Sequence, residues 1–567
     1  MVRMTGAKAL IESLKREKVE TIFGISGGAL LPIHDVLFDS EIRHILARHE
    51  QGAAHAADGY ARASGRAGVC MATSGPGATN LVTGLANAYL DSSPVIALTG
   101  QVNTYSANTS YMIGRDAFQE ADIIGITTPI TKYNCQVKSA AEIPGAVRTT
   151  FHIATTGRPG PAVIDLPKNI QTEKAEMEFS GNVQIRGYKP NTEPHPIQVK
   201  RAVALLLKAE RPMILAGGGV NLSNASPELF QLAEFLLTPV ATTFMGKSCF
   251  PENHPLSMGN IGMHGTRLAN KMILEADVLL AVGTRFQDRS TGTLDDFCPD
   301  AKIIHIDIDA AEIGKNVDVE VPIVADAKVT VRLIHQQLVD KMKKREDTPW
   351  VKRVKEVKEK FLSEMNLGKG DLTSPKLLRE LRKLLPENAI IATEVGQNQM
   401  WAALHFQTIK PRTFISSGGL GTMGFGFPAS IGAKVACPSC PVVDIAGDGS
   451  FRMTEQELGT SVTEDIPVIV VVLNNSMLGM VAQWQRLFYK GRYAAVKLGS
   501  VPDFAKLAQA YGAEGVRIGS LSEFSEAMKK ALKTEVTTVI DVPISPEDDV
   551  FPMVPPGKGL KDTVAGM

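Results

Sequence analysis

Two short polar segments, each directly after an apolar run, carry residues suited to holding a metal diphosphate. Asp448 lies in a Gly-Asp-Gly-Ser segment after the run 442–446, and Asn475 follows the β-branched run 466–473. Mg²⁺ prefers octahedral oxygen ligands, a demand met by one carboxylate, one amide oxygen, a backbone carbonyl such as that of Met477, and phosphates. Because glycine also lets backbone N–H groups approach phosphate oxygens closely, the segments predict a site for Mg²⁺ and a diphosphate.

The elements around these residues are predicted to bring them together. Residues 454–462 favour a helix, and a run as long and β-branched as 466–473 is typical of a strand buried on both faces of a parallel sheet. A strand, a helix and a parallel strand in succession place both strand ends on one edge of the sheet. Asp448 and Asn475, 27 positions apart, are therefore expected to converge on one ion. The alternative is a Gly-rich turn and an Asn-rich turn without a ligand.

A second candidate for chemistry, Glu50, is predicted at the start of an Ala-rich helix within 48–62. Such a helix packs tightly, so we expect a desolvated carboxyl, whose raised pKa suits it to exchanging a proton with a ligand nitrogen. A zinc site is excluded because His49, Glu50 and His55 do not form the His-Glu-x-x-His spacing. The alternative is a helix-terminal Glu that is favoured only by the helix dipole.

The whole chain alternates helix patterns with short apolar strands, which predicts an α/β fold. Three blocks are expected to form domains, each with a mainly parallel sheet flanked by helices: 1–170, 197–340 and 372–567. The polar, Pro-containing stretch 171–196 is interpreted as a linker. The N-terminus is expected to run directly into a helix, and the charge-dense segment 340–360 is predicted to be a solvated connecting helix.

Composition excludes several classes of function. The 567 residues contain 60 Lys and Arg against 60 Asp and Glu, so no net basic field attracts nucleic acid or an anionic membrane. No apolar run approaches the ~20 residues that cross a bilayer, and no signal-type leader is found, which predicts a soluble, cytoplasmic protein. Six cysteines do not make a disulfide framework in so long a chain. We interpret Cys437 and Cys440 as part of a surface turn rather than a redox pair or half a zinc site.

A Gly-Asp-Gly segment followed, after about one strand–helix–strand unit, by Asn-Asn resembles the signature of thiamine-diphosphate enzymes. Over nearly its whole length the chain is similar to the catalytic subunit of the acetohydroxyacid synthase (acetolactate synthase) family. The segments that carry this resemblance are 49–56, 72–80, 116–120, 395–401, 479–485 and 551–558. The resemblance implies the three-domain fold of thiamine-diphosphate enzymes.

The resemblance also implies a role for each matching residue. Those implied for Mg²⁺ and the diphosphate are Asp448, Asn475, Met477, Gln397, Asn398, Gly449 and Ser450. Glu50 is implied to tune the aminopyrimidine of the cofactor, and Gln119 to assist in acid–base chemistry. The residues implied at the substrate entrance are Gly28, Phe118, Gln119 and Lys168. Those implied to shape the pocket of the second 2-keto acid are Met480, Trp484 and Arg289.

A Gly-x-Gly-x-x-Gly pattern at 419–424, with Asp444 twenty residues beyond its last glycine, superficially matches a dinucleotide-binding fingerprint. Because Asp444 falls inside the run that leads to Asp448, we interpret the pattern as a close-packed turn against thiamine diphosphate. In this interpretation Gly421 contacts the cofactor and Met423 fills the bend between its two rings.

The central block resembles the FAD-binding domain of the same family. Its residues that correspond to flavin-contacting loops are Gly217, Gly218, Gly219, Met263, His264, Gly265 and Arg285, with Asp307, Ile308 and Asp326 as weaker matches. In this family the flavin does no net redox work in the main reaction. The alternative is a nucleotide-type fold that has lost its ligand.

The function implied by the resemblance is decarboxylation of pyruvate and transfer of the hydroxyethyl group to a second pyruvate or to 2-ketobutyrate, in branched-chain amino acid biosynthesis. A homodimer or a dimer of dimers with the active site between subunits is implied, together with a possible small regulatory subunit. Alternatives are a pyruvate oxidase, a related carboligase or a non-catalytic nucleotide-binding paralogue. Four positions depart from the family's usual residues, and of these Arg115 leaves acceptor preference open; the four are Ser26, Arg115, Gln287 and Ala494.

Overall fold

Four β-sheets organise the chain in its computed structural model. The described residues are 2–104, 113, 116–179, 181, 183, 185–364, 367–368 and 370–566, so Arg115 lies outside them. Three sheets have six strands each and the fourth has two. All neighbouring strands of the six-stranded sheets pair in parallel, and helices pack on their faces, which confirms the predicted α/β fold.

The N-terminal sheet has the strand order β3-β2-β4-β5-β7-β6. The strands of this part are β1 (Val2–Thr5), β2 (Thr21–Gly24), β3 (Arg43–Leu46), β4 (Gly68–Ala72), β5 (Val95–Gln101), β6 (Tyr133–Gln136), β7 (Ala162–Pro167) and β8 (Lys174–Met177). Its helices are α1 (Gly6–Arg16), α2 (Leu31–Phe38), α3 (Glu50–Ser64), α4 (Pro76–Asn80), α5 (Val82–Leu90), α6 (Ile123–Thr127), α7 (Ile143–Thr155) and α8 (Lys168–Thr172).

The central sheet has the order β11-β10-β9-β12-β13-β14, which is the strand order of dinucleotide-binding folds. Its strands are β9 (Pro212–Ala216), β10 (Val240–Thr242), β11 (Ser257–Asn260), β12 (Val278–Val282), β13 (Lys302–Asp307) and β14 (Val321–Val324). The helices are α9 (Pro196–Lys208), α10 (Gly218–Leu222), α11 (Ser226–Leu236), α12 (Arg267–Leu274), α13 (Asp288–Thr291), α14 (Ala327–Val339) and α15 (Pro349–Ser363).

The C-terminal sheet has the order β16-β15-β17-β18-β20-β19. Its strands are β15 (Ile390–Thr393), β16 (Phe414–Ser416), β17 (Val442–Gly447), β18 (Ile469–Asn474), β19 (Glu514–Arg517) and β20 (Thr538–Pro543). The helices are α16 (Ser374–Leu384), α17 (Gln397–His405), α18 (Gly426–Ala436), α19 (Asp448–Phe451), α20 (Leu458–Thr463), α21 (Gly479–Phe488), α22 (Phe504–Ala510) and α23 (Leu521–Ala531).

Helices α3 and α18 join the N-terminal and C-terminal sheets through an unusually close contact. A Cβ atom at Gly59 would collide with the carbonyl oxygen of Ala429, and one at Gly432 would collide with that of Ala56. Glycine is therefore required where the two helix backbones meet. This contact fixes α3, which begins with Glu50, against the sheet that carries Asp448.

Three local expectations are confirmed only in part. The N-terminus runs directly into helix α1, as expected. The strand before it, Val2–Thr5, pairs antiparallel with Lys174–Met177, inside the stretch interpreted as a linker. The charged segment that was expected to be solvated contains α15, one face of which is buried through Trp350, Val354 and Val357. These apolar residues recur at helical spacing, and this periodicity outweighs the charge density around them.

The structure also bears on the expected surface turn at Cys437 and Cys440 and on the expected lack of membrane-spanning segments. All six cysteines are free, and Cys437 and Cys440 are half-buried at the end of α18, where Cys440 N donates to Cys437 O at 3.1 Å in a turn. Among the described residues, no helix combines the length and the apolar character required to span a membrane.

Candidate active site

The ends of β17 and β18 bring together the residues predicted to bind Mg²⁺. Asn475 N donates to Asp448 Oδ1 at 3.4 Å, and Asn475 Nδ2 donates to Gln397 Oε1 at 3.1 Å. Met477 N donates to Asn475 Oδ1 at 3.0 Å, which turns the chain directly after the strand. Residues far apart in sequence thus meet at one edge of the sheet, as the strand–helix–strand argument predicts.

The chemistry of this cluster suits a hard divalent cation. Asp448 is only 1% exposed, and its Oδ2 is buried without a hydrogen-bond partner, with Arg452 Nη2 4.0 Å away. Burial raises the pKa of Asp448 to about 6, because the nearby charge of Arg452 only partly offsets the cost of removing the carboxylate from water. Within the described part of the chain no three His, Cys, Asp or Glu side chains form a cluster that could hold a metal ion. A single carboxylate beside amide and carbonyl oxygens fits Mg²⁺.

The residues around Asp448 are held by one another. Ser450 Oγ donates to Glu394 Oε2 at 2.5 Å and accepts from Gly424 N at 3.0 Å. A Cβ atom at Gly449 would lie 2.9 Å from side-chain atoms of Leu478 and Leu498, and 3.9 Å from Met423 Cε. A side chain at position 449 would therefore require these leucine side chains to move, and the contact of the Gly449 backbone with a diphosphate stays a prediction.

Gln397 and Asn398, predicted to meet the diphosphate, are both buried at the start of α17. Asn398 Nδ2 donates to Glu394 O and Ile445 O, each at 2.8 Å, and so ties β15 to β17. Gln397 Nε2 donates to Gln483 Oε1 and to Asp548 O, each at 2.9 Å. Both side-chain amides hold protein groups, and their contact with a diphosphate stays a prediction.

Sequence reasoning missed Glu394, a fully buried carboxyl at the end of β15. It accepts hydrogen bonds from Gly424 N at 2.8 Å and Phe427 N at 3.0 Å, in addition to that of Ser450. Burial raises its pKa, and burial together with the charge of Glu394 raises the pKa of Asp444 well above its ordinary value. The position of Glu394 directly after a β-branched run was the available signal, but no motif marked it.

Glu50, the first residue of α3, is 9% exposed. Asn80 Nδ2 donates to Glu50 Oε2 at 2.9 Å, while a Cβ atom at Gly77 would lie 3.4 Å from Glu50 Oε1. From the C-terminal sheet, Glu457 accepts from His49 N at 2.9 Å and so holds the start of α3. One oxygen of Glu50 therefore has a fixed partner and the other faces a small residue.

The predicted substrate-entrance residues lie in loops near the carboxyl edge of the N-terminal sheet. Gly28 follows β2 and has open space where a side chain would begin, and Lys168 is the first residue of α8, directly after β7. Phe118 is 88% exposed, and Gln119 adopts a φ of 62° with its backbone against Gly75. The role of these residues at a substrate entrance stays a prediction.

The two predicted groups are held by different parts of the chain. Among the described residues, no hydrogen bond or ion pair joins Glu50 or Gln119 to Asp448 or Asn475. Glu50 is held by N-terminal residues and by contacts at the start of its helix, whereas Asp448 is held by residues of the C-terminal sheet. That both groups serve one site stays a prediction.

Helix α21 carries two of the three residues predicted to shape the second substrate pocket. Met480 and Trp484 are both half-buried, and Trp484 Nε1 is buried without a hydrogen-bond partner. Arg289, the third, lies on the wall of a separate large cavity, where its Nη1 is 3.3 Å from Asp288 Oδ2. Arg289 thus lines the same cavity as the predicted flavin residues, and its part in the second-substrate pocket stays a prediction.

A cavity of about 840 Å³ lies where all three parts of the chain meet. The predicted flavin residues that line it are Gly218, Gly219, Met263, His264, Arg285, Asp307, Ile308 and Asp326, and Gly421 lines it as well. Gly217 and Gly265 instead pack against backbone, since a Cβ atom at Gly265 would lie 2.5 Å from Gly262 N and one at Gly217 would collide with Gly283 O. The volume is in the range of cofactor sites.

The wall of this cavity carries polar groups that could bind a ligand. His264 Nδ1 is buried without a partner, and burial lowers the pKa of His264 to about 4, which keeps the ring neutral. Burial also raises the pKa of Asp307 to about 6. Asp91 and Arg158 of the N-terminal part complete the wall, and sequence reasoning missed both because no local pattern links them to the central sheet. The donors, acceptors and glycine backbone fit a dinucleotide such as FAD.

Comparisons with known proteins cover nearly the whole chain. The N-terminal TPP binding domain of thiamine pyrophosphate enzymes matches residues 4–126, the central domain matches 199–334, and the C-terminal TPP binding domain matches 394–542. A probable acetolactate synthase large subunit of Methanocaldococcus jannaschii is 53% identical over 99% of this chain and 95% of its own length. An acetolactate synthase large subunit of Corynebacterium glutamicum is 46% identical over 99% of this chain and 90% of its own. The chain therefore belongs to the acetolactate synthase large-subunit family of thiamine pyrophosphate-dependent enzymes, as its motifs predict.

Proposed function

We propose that this protein decarboxylates pyruvate and transfers the remaining two-carbon unit to a second pyruvate or to 2-ketobutyrate. The products are 2-acetolactate and 2-aceto-2-hydroxybutyrate. The observation that carries the proposal is the meeting of Asp448 and Asn475 at one sheet edge, with a buried carboxylate oxygen that lacks a partner. In a chain of this family such a pair has the composition of a Mg²⁺–diphosphate anchor.

Thiamine diphosphate, when bound, supplies a thiazolium ring that acts as an electron sink. Asp448, Asn475 and the carbonyl of Met477 would hold Mg²⁺, and the backbone of Gly449 with Ser450 would face the diphosphate. Met423, whose Cε lies beside Gly449, would support the bend between the two rings of the cofactor. These residues orient the cofactor and leave little acid–base work to the protein.

Glu50 is the group proposed to exchange a proton with the cofactor. Asn80 engages its Oε2, so Oε1 is left to share a proton with a ring nitrogen of the aminopyrimidine. Burial at the start of α3 excludes water from this carboxyl and strengthens that hydrogen bond. Gly28, Phe118, Gln119 and Lys168 would line the entrance, and Met480, Trp484 and Arg289 would select the second 2-keto acid.

We assign FAD to the large cavity, where its role is structural because the proposed reaction has no net redox change. The helix start at Gly218 and the neutral His264 would meet its polar groups, and Arg285 and Asp307 its remaining edges. The proposed domains, 1–170, 197–340 and 372–567, each contain one six-stranded sheet, and the cavity lies between them. Removal of flavin is expected to lower the melting temperature of the protein.

A homodimer, or a dimer of such dimers, is proposed as the active unit, because the family resemblance implies a site between subunits and no hydrogen bond or ion pair among the described residues joins Glu50 to Asp448. Mixing Glu50→Gln chains with Asp448→Asn chains tests this directly. If each site takes Glu50 from one subunit and Asp448 from the other, reassortment should restore about a quarter of the wild-type activity. Mixtures that stay inactive after verified subunit exchange would place both residues in one chain's site.

The small regulatory subunit and the cytoplasmic location are also proposals. Relatives of this chain are named as large subunits, which supports a smaller companion. Balanced charge and biosynthetic relatives support a cytoplasmic enzyme.

Product analysis tests the proposed function. The purified protein is supplied with Mg²⁺, thiamine diphosphate and FAD, and given pyruvate with and without 2-ketobutyrate. Mass spectrometry should detect 2-acetolactate in the first case and 2-aceto-2-hydroxybutyrate in addition in the second. Formation of peroxide without either product would instead identify an oxidase.

A further inference from the structure

A cluster of buried charges ties the N-terminal part of the chain to a loop of the C-terminal part, and the proposed chemistry does not use it. Arg62 Nε donates to Asp58 Oδ1 at 2.7 Å, and its Nη2 donates to Asp91 Oδ2 at 2.8 Å. Arg62 Nη1 reaches across to Ser416 O at 2.7 Å. Asn87 Nδ2 donates to Asp58 Oδ2 at 2.8 Å, so both carboxylates are held from two sides.

The far side of this cluster binds residues 417–424, which we call the bridging loop. Asp91 Oδ1 accepts from Gly419 N at 2.6 Å, and its Oδ2 accepts from Gly418 N at 3.2 Å. Asn87 Oδ1 accepts from the hydroxyl groups of Ser417 and Thr422, at 2.5 and 3.1 Å. The start of the loop is therefore oriented by side chains of α5 and the residue after it, in addition to groups of the C-terminal part such as Gln399, whose Nε2 donates to Ser417 O at 2.9 Å.

The bridging loop touches both proposed cofactor sites. Residues 417–421 line the large cavity, and Asp91 lines it beside them. At the other end, Gly424 N donates to Ser450 Oγ at 3.0 Å, and Met423 Cε faces Gly449. Eight consecutive residues thus run from the wall of the cavity to the segment that carries Asp448.

Asp91 leaves the loop little freedom to shift. A Cβ atom at Gly419 would lie 2.7 Å from Asp91 Oδ1, so the carboxylate sits directly against the loop backbone. Two carboxylates share one guanidinium in this cluster, and the remaining negative charge is stabilised by the loop's N–H groups. A buried charge held this way requires its partners in place, so the cluster favours one loop position over others.

We propose that Asp91 is a positioning residue which makes the bridging loop couple the two cofactor sites, so that FAD in the cavity tightens thiamine diphosphate at the Gly-Asp-Gly segment. This inference rests on the proposed function for the identity of the two ligands. FAD would restrain residues 417–421 on one side while Asp91 restrains them on the other. Met423 and Gly424, which follow in the same loop, would then be held in the position that binds thiamine diphosphate. By linkage, thiamine diphosphate tightens FAD by the same factor.

The test measures binding rather than turnover. Thiamine diphosphate is titrated into the flavin-free full-length protein at saturating Mg²⁺, with and without saturating FAD, and the Kd is read by calorimetry. For the wild type we expect FAD to lower this Kd by about 5- to 150-fold. In Asp91→Asn, which replaces one acceptor oxygen by a donor amide, the factor should fall close to one.

Asp58→Asn is the matched control, because Asp58 touches Arg62 and Asn87 but not the loop. Both variants are expected to melt at lower temperature, but Asp58→Asn should keep most of the coupling factor. Thr422→Val removes one loop contact, is expected to fold, and should reduce the factor partly. The inference is overturned if FAD leaves the Kd of the wild type for thiamine diphosphate unchanged. It is also overturned if Asp91→Asn or Thr422→Val keeps the full wild-type coupling factor. If the wild type bound no thiamine diphosphate with or without FAD, the result would instead contradict the proposed function.

Discussion

The N-terminal and C-terminal sheets share one strand order but differ in the chemistry at their carboxyl edges. When the six strands of each sheet are numbered along the chain, both sheets have the order second, first, third, fourth, sixth and fifth. After the third strand the C-terminal sheet has Asp448, whereas the N-terminal sheet continues to Thr73 and Gly75, the latter at a φ of 58°. The comparison teaches that one sheet topology can support either a predicted metal site or a predicted substrate entrance, and that a few loop residues after the strands decide which.

The two edges also differ in how their buried carboxylates are satisfied. Asp165, in β7, accepts from Thr99 Oγ1 at 2.7 Å, Gln136 Nε2 at 2.8 Å and Gln101 Nε2 at 3.2 Å. Asp448 keeps one buried oxygen without any partner. We infer that the satisfied carboxylate stabilises the fold and that the unsatisfied one is reserved for a ligand.

The largest effect is expected from Asp448→Asn, which should weaken thiamine diphosphate binding by at least about 100-fold, because even outer-shell partners of metal ligands are worth about 10- to 100-fold in affinity. Calorimetric titration with the cofactor and Mg²⁺ measures this loss. Asp465→Asn, on an exposed turn at a φ of 53° that Asn tolerates, is the surface control and should bind normally.

Asp165→Asn completes this comparison from the other sheet. It should bind the cofactor as the wild type does, yet lower stability by about 1.5–3 kcal/mol, the usual worth of hydrogen bonds to a charged group. Thermal melting and the same titration separate the two effects. If Asp165→Asn lost binding while Asp448→Asn kept it, the assignment of the two carboxylates would have to be reversed.

Glu50→Gln should leave cofactor binding intact and slow exchange of the thiazolium C2 proton by about 10²- to 10⁴-fold, the usual contribution of a positioned acid or base. Proton NMR of the bound cofactor after dilution into D₂O measures the exchange. Glu41→Gln changes an exposed carboxyl of the same part of the chain and should exchange at the wild-type rate. An unchanged rate in Glu50→Gln would remove Glu50 from its proposed role.

Trp484→Leu should lower the preference for 2-ketobutyrate over pyruvate, because an indole that contacts one extra methylene contributes about 1–3 kcal/mol to discrimination. The product ratio in direct competition gives the measurement. Val481→Ala, an exposed neighbour on α21, should leave the ratio unchanged. A ratio that stays constant in Trp484→Leu would place the acceptor pocket elsewhere.

Sequence alone was sufficient where the geometry is local. The meeting of Asp448 with Asn475 follows from one strand–helix–strand unit, and the α/β fold follows from the alternation of apolar strands with helices. Glu50 was found because an acidic residue begins an Ala-rich helix. In each case the determining residues lie within about one supersecondary unit, so the pattern contains the necessary information.

The remainder depends on contacts between distant parts of the chain. Asp91 and Arg158 reach a cavity that belongs mainly to the central sheet, and no periodicity marks them. The pairing of β1 with β8 joins two strands of four residues each, separated by the whole N-terminal sheet. The placement of Arg289 on the cavity wall likewise depends on how α13 packs. Such juxtapositions are set by tertiary packing, which residue types and spacing do not encode locally.

The smallest effect concerns Asp444 in β17, where the third strand of the N-terminal sheet has the buried Cys70 instead. Burial and the charge of Glu394 raise the pKa of Asp444, so the folded protein retains a proton that the unfolded chain releases above a pH of about 4. The stability contributed by this proton is present at low pH and is lost as pH rises through the folded-state pKa, by at most about 1.4 kcal/mol per pH unit. Asp444→Asn cannot release a proton, so its melting temperature should rise relative to that of the wild type between pH 5 and pH 8, apart from a constant offset for the unpaired amide. If plots of melting temperature against pH for the two proteins stay parallel across this range, Asp444 has the same proton occupancy in the folded and unfolded states. The C-terminal sheet would then bury an ionised carboxylate with no loss of folding free energy.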